Sequence, residues 1–310
     1  MITTHLLIHN DKALIIPCLQ SIKYLGPIII GNLGSNDGTL QICRQFGAEI
    51  YDVPAIRPHK TLAEHSTTDW NFFIHPWEVL ACGQEEIKEK KVNSYIQIFQ
   101  NDTISREIRL WNKEIKFHNP IFESLAAPNP EFLETACLYS KQHSVNYKEL
   151  IIVIEKWKSS QPTVAEPYYY HACLLLNQGK YEDFLSVVDN YLFRKQDGIA
   201  TVNLKYYAAL IYLNLNNLNK AIYHVIGCIA VKPLMAEYWC LLGDIHYRAN
   251  EYKKAMAFYE NAIVLGSKRP GLDEWPVEIS KYKEYPNKMI NSCKDMLNNS
   301  KDKGIYNVKG

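Results

Sequence analysis

The sequence predicts an α/β fold built on a Rossmann-like mixed sheet, followed by an all-α array of repeated helical hairpins. Three observations predict it. Up to about residue 125, short apolar runs alternate with stretches of helical spacing, the mark of strands joined by helical crossovers. Inside that region Pro27-Ile28-Ile29-Ile30 runs into Gly34-Ser35-Asn36-Asp37-Gly38-Thr39 and then into the helical pattern Leu40–Phe46. A strand ends there, the chain turns on small polar residues, and a helix begins. Beyond about residue 130 strand signals fade, and helical pairs recur with a 34-residue period. The expected boundary places residues 1–128 in the α/β domain and 129–310 in the helical domain.

The elements follow in order. Thr3–Ile8 reads as the first strand. Leu14, Cys18, Leu19 and Ile22 then fall at helical spacing. Pro27–Asn32 is the second strand and Ala48–Tyr51 a short third. Trp70-Asn71-Phe72-Phe73-Ile74 is a fourth, apolar enough to be covered on both faces. Ser94–Gln100 and Arg106–Trp111, joined by Asn101-Asp102-Thr103, read as a hairpin that adds an antiparallel part to the sheet.

In the second half Trp239, Leu242, Gly243, His246, Ala255, Tyr259 and Ala262 fit the tetratricopeptide pattern, with histidine in place of its second aromatic. Small residues at 243, 255 and 262 let two helices cross closely. One period earlier Ala209, Tyr212, Ala221, Cys228 and Pro233 stand at equivalent positions, and a weaker unit spans Tyr168 to Leu192. Three hairpins are the usual minimum for a stable stack.

Composition narrows the function classes. The chain has 310 residues, 47% of them apolar and 22% charged, as ordinary globular proteins do. A formal net charge of +1 gives no bulk basic footprint for nucleic acid. No apolar run reaches the length of a membrane span. The opening Met1-Ile2-Thr3-Thr4-His5-Leu6-Leu7-Ile8 reads as a strand and not as a signal peptide. The eight cysteines form no C-x-x-C pair, so reduced, buried thiols in a cytoplasmic protein are expected, without structural zinc.

Four blocks carry a family resemblance. Ile8-His9-Asn10-Asp11, Gly34-Ser35-Asn36-Asp37-Gly38-Thr39, Asp69-Trp70-Asn71-Phe72-Phe73-Ile74, and Arg109-Leu110-Trp111-Asn112 with the later Ile115-Lys116-Phe117 and Ile121-Phe122-Glu123 resemble segments of family 2 glycosyltransferases of the GT-A fold. The likeness is to the subgroup with tetratricopeptide repeats behind the transferase domain. It implies sugar transfer, inverting at the anomeric carbon, from a nucleotide sugar to an unidentified acceptor. The acceptor protein, peptide or glycan would be taken up by the repeat groove, or the repeats would make a homodimer.

The departures fall on the chemistry. The family's nucleotide-binding aspartate is Asn32 here, beside Leu33, and its D-A-D-E is His75-Pro76-Trp77-Glu78. The family's histidine before Glu123 is Phe122. Transfer requires a held nucleotide, a neutralised diphosphate and a deprotonated acceptor. By the resemblance, Asn10, Asn32, Gly34, Ser35, Asp37, Lys60 and Trp77 would line the donor site, with Lys60 beside His59 and Arg57 in a loop near the phosphates. Manganese or magnesium would fall to His75 and Glu78, a weak pair for such an ion. Cationic side chains are the metal-independent alternative. Glu123 stands at the position of the base.

Each residue also has a plain structural reading. Asp37 caps a helix, Asn10 caps a strand end, His75-Pro76 marks a strand exit, and Trp77 packs. The tyrosines near 168–170 are core residues or groove lining. If these readings hold throughout, the alternative is an inactive glycosyltransferase-like protein that binds partners through its repeats.

Overall fold

The computed structural model describes residues 1–54, 56–118, 124–125, 127–141, 147–270 and 276–306. Two compact units emerge. One comprises residues 1–145 with 272–276, the other 146–271 with 277–310.

The first unit is a mixed sheet with helical crossovers. Its strands are β1 (Ile2–Ile8), β2 (Ile28–Asn32), β3 (Glu49–Asp52), β4 (Trp70–Phe73), β5 (Glu78–Cys82), β6 (Ser94–Gln100), β7 (Thr103–Asn112) and β10 (Glu131–Ser140), with β8 (Phe117–His118) and β9 (Ser124–Leu125) paired apart from it. Helices α1 (Ile15–Ile22), α2 (Thr39–Gln45), α3 (Pro58–Ala63) and α4 (Gln84–Glu89) lie between strands. The sheet runs β3-β2-β1-β4-β7-β6-β10-β5. The first four are parallel, and β4/β7, β7/β6 and β10/β5 are antiparallel.

Both faces of the parallel part are covered, so β1 and β2 are buried almost throughout, polar Thr3, Thr4 and His5 included. Leu6, Ile8, Ile30 and Phe72 pack with Ile15, Cys18, Leu19 and Ile22 of α1. Ile29 and Val53 pack with Leu62 of α3 on another patch. An eight-residue helix is marginal by itself. Full burial of three aliphatic side chains, at about 1.5–3 kcal/mol each, holds α1 in place.

The sheet departs from the sequence expectation in three places. The segment from Pro58 is a helix rather than a loop, opened by Arg57 at φ 58° and by Pro58 at the first helical position. β5 has no counterpart in the expected elements. Strand structure also continues past residue 130: β10 lies between β6 and β5. Register shifts interrupt β10 between Phe132 and Cys137 and between Cys137 and Leu138. These bulges erase the period-2 pattern by which a strand is recognised.

The second unit is helical: α5 (Tyr147–Ser160), the hairpins α6 (Glu166–Asn177)/α7 (Tyr181–Arg194), α8 (Ile199–Asn214)/α9 (Leu218–Val231) and α10 (Ala236–Arg248)/α11 (Tyr252–Gly266), a 3-10 turn at Ile279–Tyr282, and α12 (Glu284–Tyr306). Ala209, Ala221, Cys228, Ala255 and Ala262 are all fully buried at the crossings. A Cβ at Gly243 would sit 2.6 Å from the Tyr259 ring, so the close approach of α10 and α11 requires glycine there. The helical turns share a joint. Gly179, Asn216 and Asn250 all take positive φ. In each joint the next amide bonds back five residues: Lys180 to Leu175, Asn217 to Tyr212 and Glu251 to His246, at 3.0, 2.8 and 2.9 Å. This is the Schellman ending of a helix.

Candidate functional site

In a sheet of this kind the natural site lies beyond the carboxyl ends of the parallel strands, where neighbouring crossovers diverge. Here that is the end of β1 next to β4, with the β2 loop beside it. The two loops are laced together. The Asn10 amide donates to Ser35 Oγ (3.1 Å), and the Asn36 amide donates to Asn10 Oδ1 (2.8 Å). The Lys12 amide donates to Asp37 Oδ2 (3.1 Å). Asn10 holds φ 58°, a conformation asparagine tolerates.

Asp37 also accepts from the Thr39 amide and hydroxyl, at 3.0 and 2.5 Å. It therefore serves the start of α2 from one residue ahead of the cap, which Gly38 occupies at φ 95°. Partial burial pushes its carboxyl up, but these hydrogen bonds outweigh it and hold the carboxyl below its ordinary value. Asn32 turns inward. Its Oδ1 accepts from the amides of Gly34 (3.2 Å) and Ser35 (2.8 Å), and its Nδ2 donates to Asp52 (2.7 Å). The side chain thus shapes the turn that carries Gly34 and Ser35.

Beyond β4 the chain forms a layer of rings. His75 stacks on Trp77, with centroids 4.5 Å apart, and meets Phe73 edge-on at 4.6 Å. Glu78 is 2% exposed. Its Oε1 accepts from Arg109 Nη2 (2.9 Å) and its Oε2 from the His75 amide (2.8 Å). Burial pushes Glu78 above its ordinary value, against the pull of Arg109 and the His75 amide. Arg109 is equally buried, lies 5.0 Å over the Phe73 ring and also meets Glu107 at 3.0 Å. Its Nε and Nη1 have no hydrogen-bond partner.

Two histidines complete this layer. His5 is buried, bonded to Asn71 (2.9 Å) and set against Trp111; burial pushes it down to about 4. The His59 ring packs between Phe73 and Phe117, at 4.3 and 5.7 Å, and burial pushes it down to about 3, helped by nearby His5 and Arg109. Both rings are neutral at physiological pH.

The structure thus brings Asn10, Ser35 and Asp37 together, sets Gly34 on the same turn, and gathers His75, Trp77 and Glu78 beside Arg109. Lys60 is exposed on α3, whereas Glu78 faces inward. Glu123 and Phe122 lie outside the described residues. Glu78 and His75 do not fit a divalent cation, because both Glu78 oxygens are engaged and the nearest cation is Arg109. Among the described residues no group of three or more histidine, cysteine or acidic side chains is arranged to hold one. Arg109, His5 and His59 were missed as a group. Arg109 stood in a recognised motif, but its burial against Glu78 joins residues 31 positions apart.

In the helical unit one face is covered by the chain itself. Glu237 of α10 is buried and accepts from the Glu278 amide (2.8 Å) and the Tyr282 hydroxyl (2.9 Å). Tyr206 of α8 donates to Glu278 (2.8 Å). The thiol of Cys240 points to the Lys281 carbonyl at 3.5 Å. Tyr206 and its neighbour Tyr207 are pushed up by burial and by Glu278.

The tetratricopeptide repeat family matches residues 236–268, the α10/α11 hairpin. No curated protein matches the chain. Among solved structures, MamA 41-end from Desulfovibrio magneticus RS-1 is 17% identical, covering 50% of this chain and 84% of its own, at TM-score 0.39. The Sgt2 TPR domain from Aspergillus fumigatus is 13% identical, covering 44% and 82%, at 0.35. The TPR2B domain of yeast Sti1, solved as a pHsp70 complex, is 11% identical, covering 42% and 96%, at 0.36. The likeness is loose in all three. Among the described residues no helix is long and apolar enough to cross a membrane.

Proposed function

We propose that this chain is a protein-binding scaffold: its repeats engage a partner, and its α/β unit keeps a glycosyltransferase-like plan without the transferase chemistry. The observation that carries this reading is Glu78. It is the one acid left where the resemblance places a metal-binding set, and its carboxylate is closed inside the protein by Arg109 and the His75 amide. A carboxylate committed to a buried ion pair is a structural part, since removing its partner or recruiting it elsewhere leaves an unpaired charge. The repeat match at residues 236–268 supports the partner-binding half.

A second reading, sugar transfer without metal, draws on Arg109. Two of its donors are unpaired within the ring layer, and such donors suit the charge of a departing diphosphate. Lys60 would add to them, and Glu123 would be the base.

Calorimetric titration with UDP, GDP, CDP and dTDP and their sugar conjugates, with and without manganese, separates the two. The scaffold reading expects no binding in any pairing. Saturable binding of one nucleotide sugar would displace it in favour of the transferase. Sedimentation of the same sample shows whether the repeats bind a second copy of the chain.

A further inference from the structure

We propose that Cys82 and Cys137 form a redox dithiol site, which a peroxide converts into a disulfide that staples the edge strand β5 to β10. The two residues are direct partners across the antiparallel β5/β10 pair. Residues opposite each other in such a pair have Cα atoms about 4.5–5.5 Å apart, within the span a disulfide bridges. Their sulfurs lie 3.2 Å apart. Among the cysteines of the chain Cys82 is exposed and Cys137 half-buried, a correction to the expectation of uniformly buried thiols.

The surroundings fix this geometry. Gly83, next to Cys82, approaches β10 so closely that a Cβ there would lie 2.2 Å from the Ala136 Cα. The Glu86 carboxylate of α4 accepts from the amides of Glu134 (2.7 Å), Thr135 (2.9 Å) and Ala136 (2.9 Å), and from the Thr135 hydroxyl (2.7 Å). The Cys82 thiol is directed at the Thr135 carbonyl (2.9 Å). The strand leading into Cys137 is therefore clamped, and a bulge follows immediately.

The exposures assign the roles. Cys82 meets the oxidant and Cys137 resolves the product; burial and the bond with Cys82 push the Cys137 thiol up to about 11, which keeps it protonated until then. The Cys82 thiolate attacks hydrogen peroxide. An S–O bond forms, the O–O bond breaks, and the departing hydroxide takes up the proton lost by Cys82. The Cys137 sulfur then attacks the resulting sulfenic acid. The S–S bond forms, the S–O bond breaks, and hydroxide leaves with the Cys137 proton as a second water. Two electrons pass from the two sulfurs to the peroxide oxygens.

The consequence reaches the candidate site, because β5 starts at Glu78, the partner of Arg109. The test treats the full chain with hydrogen peroxide, alkylates the remaining thiols with N-ethylmaleimide and maps peptides by mass spectrometry. The expected result is loss of two alkylatable thiols, a Cys82–Cys137 linked peptide, and reversal by dithiothreitol. Amide exchange across residues 78–82 slows on oxidation. In Cys137→Ser, Cys82 is captured by dimedone as a sulfenic acid. The proposal is overturned if both cysteines remain alkylatable under peroxide, if Cys82 links to a different cysteine, or if exchange in β5 is unchanged by the bond.

Discussion

The sheet unit is held in shape by side chains reaching across the sequence, whereas the three hairpins of the helical unit repeat one local joint. Asn10 reaches Asn36 across 26 positions, and Arg109 reaches Glu78 across 31. In the repeats the same five-residue backbone closure recurs at Gly179, Asn216 and Asn250, and small buried residues recur at the crossings of the last two hairpins. The contrast teaches that a change in the sheet unit should be felt at a distant partner, and a change in the repeats mainly within one hairpin.

The largest expected effect tests the long-range half. Glu78→Ala leaves Arg109 buried without its main partner, and breaking such a pair costs roughly 3–5 kcal/mol. Chemical denaturation measures this. A loss below about 1 kcal/mol would mean that Glu107 alone satisfies the guanidinium. Replacing Glu78 and Arg109 together by methionine should recover much of the loss.

Acid provides the next test. His5 has a folded pKa depressed from 6.5 to about 4. Its neutral form therefore contributes stability that is present above pH 6.5 and lost as the pH falls to about 4. The slope is about 1.4 kcal/mol per pH unit in that window. Denaturation midpoints across the range should fall, and His5→Gln should flatten the fall. An identical profile in the variant would mean that His5 protonates without cost.

The repeats should answer with a smaller and more local change. Gly243→Ala drives a methyl into the Tyr259 ring. Overpacking costs about 1–3 kcal/mol, and alanine's better helix propensity returns up to about 1. Hydrogen exchange should rise in α10 and α11 and stay level in α6 and α7. Loosening spread over every hairpin would break the comparison. The smallest expected effect is a gain: Asn216→Gly relieves a left-handed backbone, by about 0.5 kcal/mol. A slightly raised melting temperature would register it.

These scales explain what the sequence made legible. The strands β1, β2 and β4, the hairpin β6/β7 and the last two helical pairs follow from local periodicity. The first pair was faint because the interval from Gly179 to Asn216 is three residues longer than that from Asn216 to Asn250. The extra residues lie in α8, which has 16 residues against 13 in α10. β10 was lost to its bulges, and β5 to its dependence on β10. At the candidate site the turn Gly34–Thr39 was readable, since it is a local structure. The inward Asn32, the neutral histidines and the engaged Glu78 were not, because each is decided by a residue distant in sequence.

The three matching joints carry a consequence for how such a chain can be lengthened or shortened. Gly179, Asn216 and Asn250 turn the backbone with the same hand, and each releases it into the next helix from the same backbone bond. A helix pair excised between two of them, such as α7 with α8, leaves a joint of the same backbone form. The array is therefore modular in the manner of a chain with identical couplings, and a unit can be added by duplication or dropped by deletion without inventing a new turn.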